Sequence, residues 1–359
     1  MVLCEDVMAK NDYGLGARLL HYFALNFRMI AEMSFMTDQI LNKSDPEPVQ
    51  NRKHVFISGL ARAGTTALMR LFYETGEFCS LTYRDMPFPL APFLWKGLTG
   101  FSAKDGSLSE RSHGDRILVD FDSPEALEEV FWRIFCGDQY ILPDRLIPMK
   151  AEEKVIHAFR KYIASLLEIN NSYRYLSKNN NNIIRLSSIY KAFPNAVIII
   201  PYRDPAQQSL SLLNQHRRFV EMHSENKFSR NYMKWLVHHE FGSDHRYFDV
   251  DETISTKSLD SPDYWLDQWT RVYRYLLKNA KEFDMTLLFV DYEELCDNPE
   301  VVWKALSRYT SLPEDLPSGF VLSKAGSREG FNIEQDTINE AYCIHSELKY
   351  YFRNTFFNL

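Results

Sequence analysis

The sequence has few of the features that mark secreted or disulfide-stapled proteins. Its five cysteines stand at positions 4, 79, 136, 296 and 343, and no two of them form a Cys-x-x-Cys pair. An odd number at wide spacing is atypical of a disulfide framework and disfavours a structural zinc site. We therefore expect reduced thiols in a cytoplasmic protein.

Long apolar runs and a basic leader are also missing. The most apolar early stretch, residues 19–30, is interrupted by His21 and Arg28. It falls short of the roughly 20 apolar residues that cross a bilayer. The first ten residues, MVLCEDVMAK, are acidic where a signal peptide is basic. These absences predict a soluble protein without a transmembrane segment.

Positive charge is in deficit along the chain. Lysine and arginine number 41 against 48 aspartate and glutamate, which gives the 359 residues a net charge of −7. A general nucleic-acid-binding protein is basic over a whole face, so we expect no nucleic-acid partner. Any polyanionic ligand must then be held by a few local cations. The 45% hydrophobic and 25% charged content is that of a globular protein and excludes a disordered chain.

Three short apolar runs carry the fold prediction. They are His54–Ser58, Ala196–Ile200 and Thr286–Val290, and each is followed by a loop and a helical pattern. Apolar strands that alternate with helices are typical of a parallel sheet covered on both faces. The sequence therefore predicts an α/β fold with a central parallel β-sheet flanked by helices.

The loop after the first run has the composition of an anion-binding turn. It reads Gly59-Leu-Ala-Arg62-Ala-Gly64-Thr65-Thr66 and contains both glycines and a threonine of the nucleotide-binding pattern GxxxxGK[ST]. Thr65 occupies the place of the lysine, and the cation stands at Arg62 inside the loop. Backbone N–H groups at such a helix start face an anion, and the threonine hydroxyls add donors.

A second candidate anion site follows the second apolar run. The strand ends in Tyr202-Arg203-Asp204-Pro205, and Ser211 lies eight residues after Arg203. Proline suits a first helical turn, and an arginine offers two-pronged contact to a phosphate. Taken alone, the Arg-Asp-Pro pattern also describes an ordinary capped helix start.

Together the two segments resemble the sulfotransferases that use 3′-phosphoadenosine 5′-phosphosulfate (PAPS). Arg62, Gly64, Thr65 and Thr66 match the family's 5′-phosphosulfate loop, in which a basic residue precedes Ser-Gly-Thr-Thr. Ala63 replaces the usual serine, which removes a hydroxyl donor and leaves the backbone donor. The resemblance implies a P-loop-like sulfotransferase fold with helical insertions.

The resemblance also implies a role for each matching residue. Residues 62–66 would hold the 5′-phosphosulfate, and Arg62 would stabilise the bridging oxygen during transfer. Arg203 and Ser211 would hold the 3′-phosphate. Lys324, together with Arg328, resembles the late basic loop that closes over the nucleotide. The implied reaction moves a sulfuryl group from PAPS to a hydroxyl or amine, releases 3′,5′-ADP and requires no metal.

The similar segments run over about residues 54–330. We therefore expect one sulfotransferase domain over 1–359 rather than the two domains that the length suggests. Within it, residues 1–50 would form a helical N-terminal extension. Mostly helical insertions at about 97–180 and 212–270 would shape the acceptor cleft, whose small-molecule, glycan or lipid substrate the sequence does not specify.

Three residues are candidates for the base that removes the acceptor proton. Family members with this type of loop use a carboxylate roughly twenty residues after it, which favours Asp85. Glu74, near the end of the predicted helix, is the second candidate, and a surface glutamate is its simpler interpretation. His113 is the third, because some relatives use a histidine.

Two other classes of function remain open from the sequence. A P-loop kinase or NTPase using ATP and magnesium is one, since residues 287–291 resemble an apolar strand ending in a magnesium-binding aspartate. A non-catalytic nucleotide-binding module is the other. A metal site built from the segment His238-His239-Glu240 with Asp244 and His245 is disfavoured, because adjacent histidines point to different sides of a helix.

Overall fold

The computed structural model describes residues 15–99, 109–110, 118–119, 126–253, 255–282, 285–317, 322, 324 and 333–357. The α-helices in these ranges are α1 (Leu15–Asn26), α2 (Arg28–Leu41), α3 (Glu47–Gln50), α4 (Thr65–Tyr73), α5 (Pro92–Thr99), α6 (Glu129–Tyr140), α7 (Glu153–Ile169), α8 (Leu186–Ala192), α9 (Pro205–Glu225), α10 (Lys227–Trp235), α11 (Pro262–Glu282), α12 (Tyr292–Asp297), α13 (Pro299–Thr310) and α14 (Gln335–Phe357). Two 3₁₀ turns cover Tyr83–Asp85 and Asn180–Arg185.

The strands form one main sheet and two short pairs. They are β1 (Val55–Ile57), β2 (Phe78–Cys79), β3 (Ser109–Glu110), β4 (Leu118–Val119), β5 (Arg145–Leu146), β6 (Arg174–Lys178), β7 (Val197–Tyr202), β8 (Tyr247–Phe248) and β9 (Thr286–Asp291). The main sheet has the order β2-β6-β1-β7-β9, and all of its pairs are parallel. The predicted α/β fold with a central parallel sheet flanked by helices is confirmed.

Two of the three predicted apolar runs are the inner strands β1 and β7, and the third is the edge strand β9. β1 and β7 are buried along their whole length, and they pair in register from Val55 with Val197 to Ile57 with Ile199. Burial on both faces is the reason these strands are apolar at every position rather than at alternate ones. β9 pairs with the other side of β7 and ends at Asp291.

Two strands of the sheet have no such signal in the sequence. β6 lies inside the range 97–180, which was expected to be mostly helical, and reads Arg174-Tyr-Leu-Ser-Lys178. It is mostly buried next to β1 although it carries polar residues. Arg174 Nε donates to Lys53 O at 2.6 Å and its guanidinium lies over the Phe78 ring. β2 has two residues, too few for a pattern.

The helices of the first fifty residues pack on the same core as the sheet-covering helices. Phe35 of α2 stacks edge-on against Phe131 and Tyr162, at ring distances of 5.8 and 6.1 Å. Asp38, also on α2, accepts a hydrogen bond from Leu94 N at 2.8 Å and so caps the first turn of α5. None of the helices in the described ranges has the length and apolar character needed to cross a bilayer.

Candidate functional site

The carboxyl ends of β6, β1 and β7 lie side by side, because the three strands are parallel and adjacent. The segment after β1 begins with Ser58, whose N–H donates to Ile199 O at 2.9 Å, and continues as the loop from Gly59 to Thr66. Crevices outside the carboxyl ends of parallel strands are where α/β proteins bind ligands. The fold thus places the anion-binding sequence of the loop at the binding edge of the sheet.

Both glycines of the loop are required by their surroundings. Gly59 has φ +147°, and a Cβ there would lie 3.2 Å from the carbonyl oxygen of Pro201. Gly64 has φ +93°, and a Cβ there would fall 2.2 Å from the ring of Tyr292 on α12. Tyr292 therefore covers the loop at close range, and side chains larger than hydrogen are excluded at Gly64.

Helix α4 starts directly after this turn. Gly64 is its N-cap and supplies no side-chain hydrogen bond. The first N–H groups of a helix have no partner inside the helix, and those of Thr65 and Thr66 stand at the end of the loop. Ala63 is fully buried. The helix dipole favours negative charge at this end of α4.

The two motifs predicted from the sequence meet in space. Arg62 Nε donates to Ser211 Oγ on α9 at 3.1 Å, and Arg203 Nη1 donates to the backbone oxygen of Arg62 at 3.3 Å. Arg62 itself has φ +68°, a left-handed conformation that non-glycine residues rarely adopt. Sparsely populated backbone conformations of this kind persist only where the surroundings impose them. Arg62, Arg203 and Ser211 form one constellation.

Gln208 anchors the loop from the other side and was not singled out by the sequence. Its Nε2 donates to Ala61 O at 3.0 Å, and its Oε1 accepts from Trp269 Nε1 at 3.0 Å. Gln208 is fully buried one helical turn before Ser211. Gln208 lies three residues before Ser211 and so on the same face of α9, and this spacing could have identified it from the sequence.

Arg203 lies between the loop and a cavity of about 260 Å³. Its side chain is buried, and its Nε has no hydrogen-bond partner within the described ranges. The same cavity is lined by Lys324 and Lys349 together with carboxylates of α12. Lys324 Nζ donates to Asp297 Oδ2 at 2.5 Å, so this lysine is on the Arg203 side but is paired with a carboxylate. Arg328 lies outside the described residues.

Asp85, the favoured base, closes the 3₁₀ turn that follows β2. Its Oδ2 accepts from Thr82 N at 2.7 Å in a capping box. Burial raises the pKa of the Asp85 carboxyl to about 6, although the hydrogen bonds from Thr82 and the charge of Lys96 lower it in part. A carboxyl group with such a pKa can exchange a proton near neutral pH. β2 is separated from β1 by β6, so this turn is two strands away from the loop.

The other two candidate bases fall elsewhere. Glu74 caps the carboxyl end of α4 and is exposed, one helix length away from the Gly64 end that faces the candidate anion site. His113 lies outside the described residues. Asp291, the aspartate that resembles a magnesium ligand, caps α12 instead, because its Oδ1 accepts from Glu293 N and Glu294 N at 3.0 and 3.2 Å.

A histidine-containing turn lies over the end of β6. Asn180, two residues past the strand, donates from Nδ2 to Glu240 Oε1 at 3.0 Å, and His238 Nδ1 lies 3.6 Å from Glu240 Oε2. In the described part of the chain, no group of three or more histidine, cysteine, aspartate or glutamate side chains has the geometry to hold a metal. The hydrogen bond from Asn180 ties this turn to the end of β6.

Comparison with known proteins gives a family match and structural neighbours. The model of the sulfotransferase family matches residues 54–251. No curated protein matches the chain at a significant level. A solved structure of sulfotransferase STF1 from Mycobacterium tuberculosis H37Rv is 15% identical, with coverage of 94% of this chain and 85% of that chain and a TM-score of 0.47. A solved structure of sulfotransferase STF9 from Mycobacterium avium is 12% identical, with coverage of 91% of this chain and 76% of that chain and a TM-score of 0.48.

The family match includes all of the predicted site residues except Lys324. Residues 54–251 contain the Gly59–Thr66 loop, the turn with Asp85, and Arg203 with Ser211. The match covers more than half of the chain and every strand of the main sheet except β9. On these grounds the chain belongs to the sulfotransferase family.

Proposed function

We propose that this protein transfers a sulfuryl group from PAPS to a hydroxyl or amine of an acceptor and releases 3′,5′-ADP. The observation that carries the proposal is the meeting of two anion-binding elements, Arg62 with the start of α4 and Arg203 with Ser211. A nucleotide with phosphate groups at both the 3′ and 5′ positions needs two such elements. A nucleoside triphosphate needs one.

The residues present fit PAPS. The N–H groups at the start of α4 and the hydroxyls of Thr65 and Thr66 suit the 5′-phosphosulfate. Arg203 offers a buried Nε without a partner in the described ranges, and Ser211 a hydroxyl that now accepts from Arg62. When bound, PAPS supplies the sulfuryl group and a good leaving group. Lys324 would help to hold the nucleotide after exchanging Asp297 for a phosphate.

The chain's own residues supply positioning and charge. In sulfuryl transfer, as in phosphoryl transfer, the attacking and leaving oxygens lie in line and charge spreads over the equatorial oxygens. Arg62 would neutralise charge on the leaving oxygen, and the α4 N–H groups would hold the equatorial ones. This chemistry requires no metal. Asp85 is the proton acceptor that the sequence favours, and its raised pKa suits that role.

The kinase or NTPase alternative has less support. Thr65 stands where the phosphate-binding lysine is needed, and Asp291 uses its carboxylate to cap α12. The Arg203–Ser211 pair also has no purpose in that reaction. A non-catalytic nucleotide-binding module would share the pockets and is separated by activity, because it would bind 3′,5′-ADP but transfer no sulfate from PAPS.

The donor is tested by thermal unfolding with 3′,5′-ADP and, separately, with ATP and magnesium. We expect 3′,5′-ADP at 100 times its Kd to stabilise the protein by about 2.7 kcal/mol, since it binds the folded state only. Arg203→Ala should lose this stabilisation, and Arg308→Ala, a surface variant of α13, should keep it. Stabilisation by ATP with magnesium but not by 3′,5′-ADP would refute the proposal.

The proposal also includes the class of sulfate acceptor and the cellular compartment of the protein. We infer a small-molecule, glycan or lipid acceptor with a free hydroxyl or amine, and no nucleic-acid substrate. Cytoplasmic residence is supported by Cys79, Cys136, Cys296 and Cys343, which are free thiols. A sulfate-transfer screen over alcohols, phenols, sugars and lipids, read by mass, identifies the acceptor.

A further inference from the structure

The turn from residue 237 to residue 240 is held against the strand next to the Gly59–Thr66 loop. Asn179 N donates to Ile57 O at 3.0 Å, so the chain leaving β6 stays paired with the end of β1. Asn181 Nδ2 donates to Val237 O at 3.3 Å, and Asn180 Nδ2 donates to Glu240 Oε1 at 3.0 Å. Two side chains at the carboxyl end of β6 therefore fix this turn beside the loop.

A separate contact joins the same turn to the loop. Phe241 belongs to an apolar cluster with Leu212 of α9 and Trp265 of α11, and Ala61 of the loop packs against this cluster. α9 is also the helix that places Ser211 beside Arg62. The turn, the loop and α9 thus surround one region at the carboxyl ends of the strands.

His238 has an unused ring nitrogen in this region. Its side chain is 8% exposed, and its Nε2 is buried with no hydrogen-bond partner among the residues that the structure describes. Nδ1 lies on the other side of the ring, 3.6 Å from Glu240 Oε2. Catalytic hydrogen bonds are often long before substrate binds, so this distance is compatible with a working pair. A carboxylate at Nδ1 directs the lone pair to Nε2.

The carboxylate of Glu240 can stabilise a positive charge on the imidazole of His238. Burial raises the pKa of the Glu240 carboxyl, but the Nδ1 side of His238, the positive charge of that ring when it is protonated and the ammonium of Lys178 together lower that pKa to about 2. A buried carboxylate beside an imidazole stabilises the imidazolium that forms when the ring takes a proton. Asn180 keeps the carboxylate in place through Oε1.

The backbone at Val237 is strained where it presents His238. Val237 has φ +56°, which is a genuine outlier for a β-branched residue. Such a conformation persists only where surrounding contacts impose it. Here the contacts are Asn181 Nδ2 and His239 N, which both donate to Val237 O.

We propose that His238, positioned by Glu240, is the general base of the sulfuryl transfer in place of Asp85. The acceptor oxygen forms the new S–O bond, the S–O bond to the 5′-phosphate breaks, and its electron pair leaves with 3′,5′-ADP. The acceptor proton moves to His238 Nε2 and then to water. β6 adjoins β1, whereas the turn with Asp85 follows a strand two places away. This inference rests on the proposed function.

The first test is activity with water as the acceptor, followed as release of 3′,5′-ADP from PAPS. We expect His238→Gln to lower kcat about 100-fold or more, the range of a lost general base, and to leave KM for PAPS within about twofold. His157→Gln, on the exposed side of α7, is the matched control and should keep kcat. A larger loss of kcat in Asp85→Asn than in His238→Gln would overturn the assignment.

The second test needs no turnover. Histidine ¹⁵N NMR of the full-length protein should show His238 with the proton on Nδ1 and a bare Nε2. In Glu240→Gln this preference should be lost, while thermal stabilisation by 3′,5′-ADP stays. A protonated Nε2 in the neutral wild-type ring would overturn the role of His238. A wild type that shows the expected tautomer but does not bind 3′,5′-ADP would instead refute the sulfotransferase proposal.

Discussion

At the scale of single residues, Gly64 carries two constraints that can be separated. Its positive φ is a backbone requirement, and the ring of Tyr292 at 2.2 Å from a Cβ is a packing requirement. Gly76 has a similar φ of +71° but nothing within 4 Å of a Cβ. The two glycines therefore form a natural comparison between strain alone and strain with a clash.

We expect Gly64→Ala to destabilise the protein more than Gly76→Ala. Strain at a left-handed position costs about 1 kcal/mol, and overpacking against Tyr292 adds roughly 1–3 kcal/mol in Gly64→Ala. Because the start of α4 must shift, binding of 3′,5′-ADP should also weaken in Gly64→Ala and remain in Gly76→Ala. Denaturant unfolding and calorimetric titration measure both effects. Equal unfolding free energies for the two variants would contradict the packing of Tyr292 on the loop.

At the scale of elements, a buried ion pair ties α6 to the end of β6. Glu129 accepts from Arg185 Nη1 and Nη2 at 2.7 and 2.8 Å, and both side chains are almost fully buried. Glu129 also accepts from Asn179 Nδ2 at 2.6 Å and from Tyr140 OH at 2.5 Å. Through Asn179 this network supports the turn on which Asn180 holds Glu240.

Breaking this pair should be far more costly than replacing it. Arg185→Met leaves the Glu129 carboxylate buried without its cation, which costs about 3–5 kcal/mol. The double variant Glu129→Met with Arg185→Met removes the uncompensated charge and should recover part of that loss. Urea unfolding of the two single variants and the double variant measures the coupling. A double variant no more stable than Arg185→Met would contradict this account of the network.

At the scale of the whole molecule, the sequence predicts strands β1, β7 and β9 but not β6 and β2 on the other side of β1. β1, β7 and β9 are apolar at nearly every position because helices cover both faces of the sheet. β6 carries arginine, serine and lysine, and Arg174 bonds to Lys53, a residue distant in sequence, so the pattern of β6 contains no strand signal. The two candidate anion motifs could be recognised in the sequence because each lies within one short segment.

The contacts between the two motifs and the rest of the site could not be predicted from the sequence, because they join residues that are far apart along the chain. Asn180 and Glu240 are sixty residues apart, and their hydrogen bond depends on the path of α9 and α10. The same holds for Tyr292 over Gly64, although Tyr292 lies in a segment that resembles the family. With a net charge of −7, the chain needs local cations to hold a polyanionic ligand. Arg62 and Arg203 are in contact at the carboxyl ends of β1 and β7.

The central claim is that this site binds the 3′-phosphate and the 5′-phosphate group of one nucleotide. Calorimetric titration of 3′,5′-ADP and of 5′-AMP into the wild type and Arg203→Ala tests it most directly. A charge-assisted hydrogen bond contributes about 1.5–3 kcal/mol, so 3′,5′-ADP should bind the wild type at least about tenfold more tightly than 5′-AMP. Arg203→Ala should remove most of that difference. Equal affinity of the wild type for the two nucleotides would contradict the account.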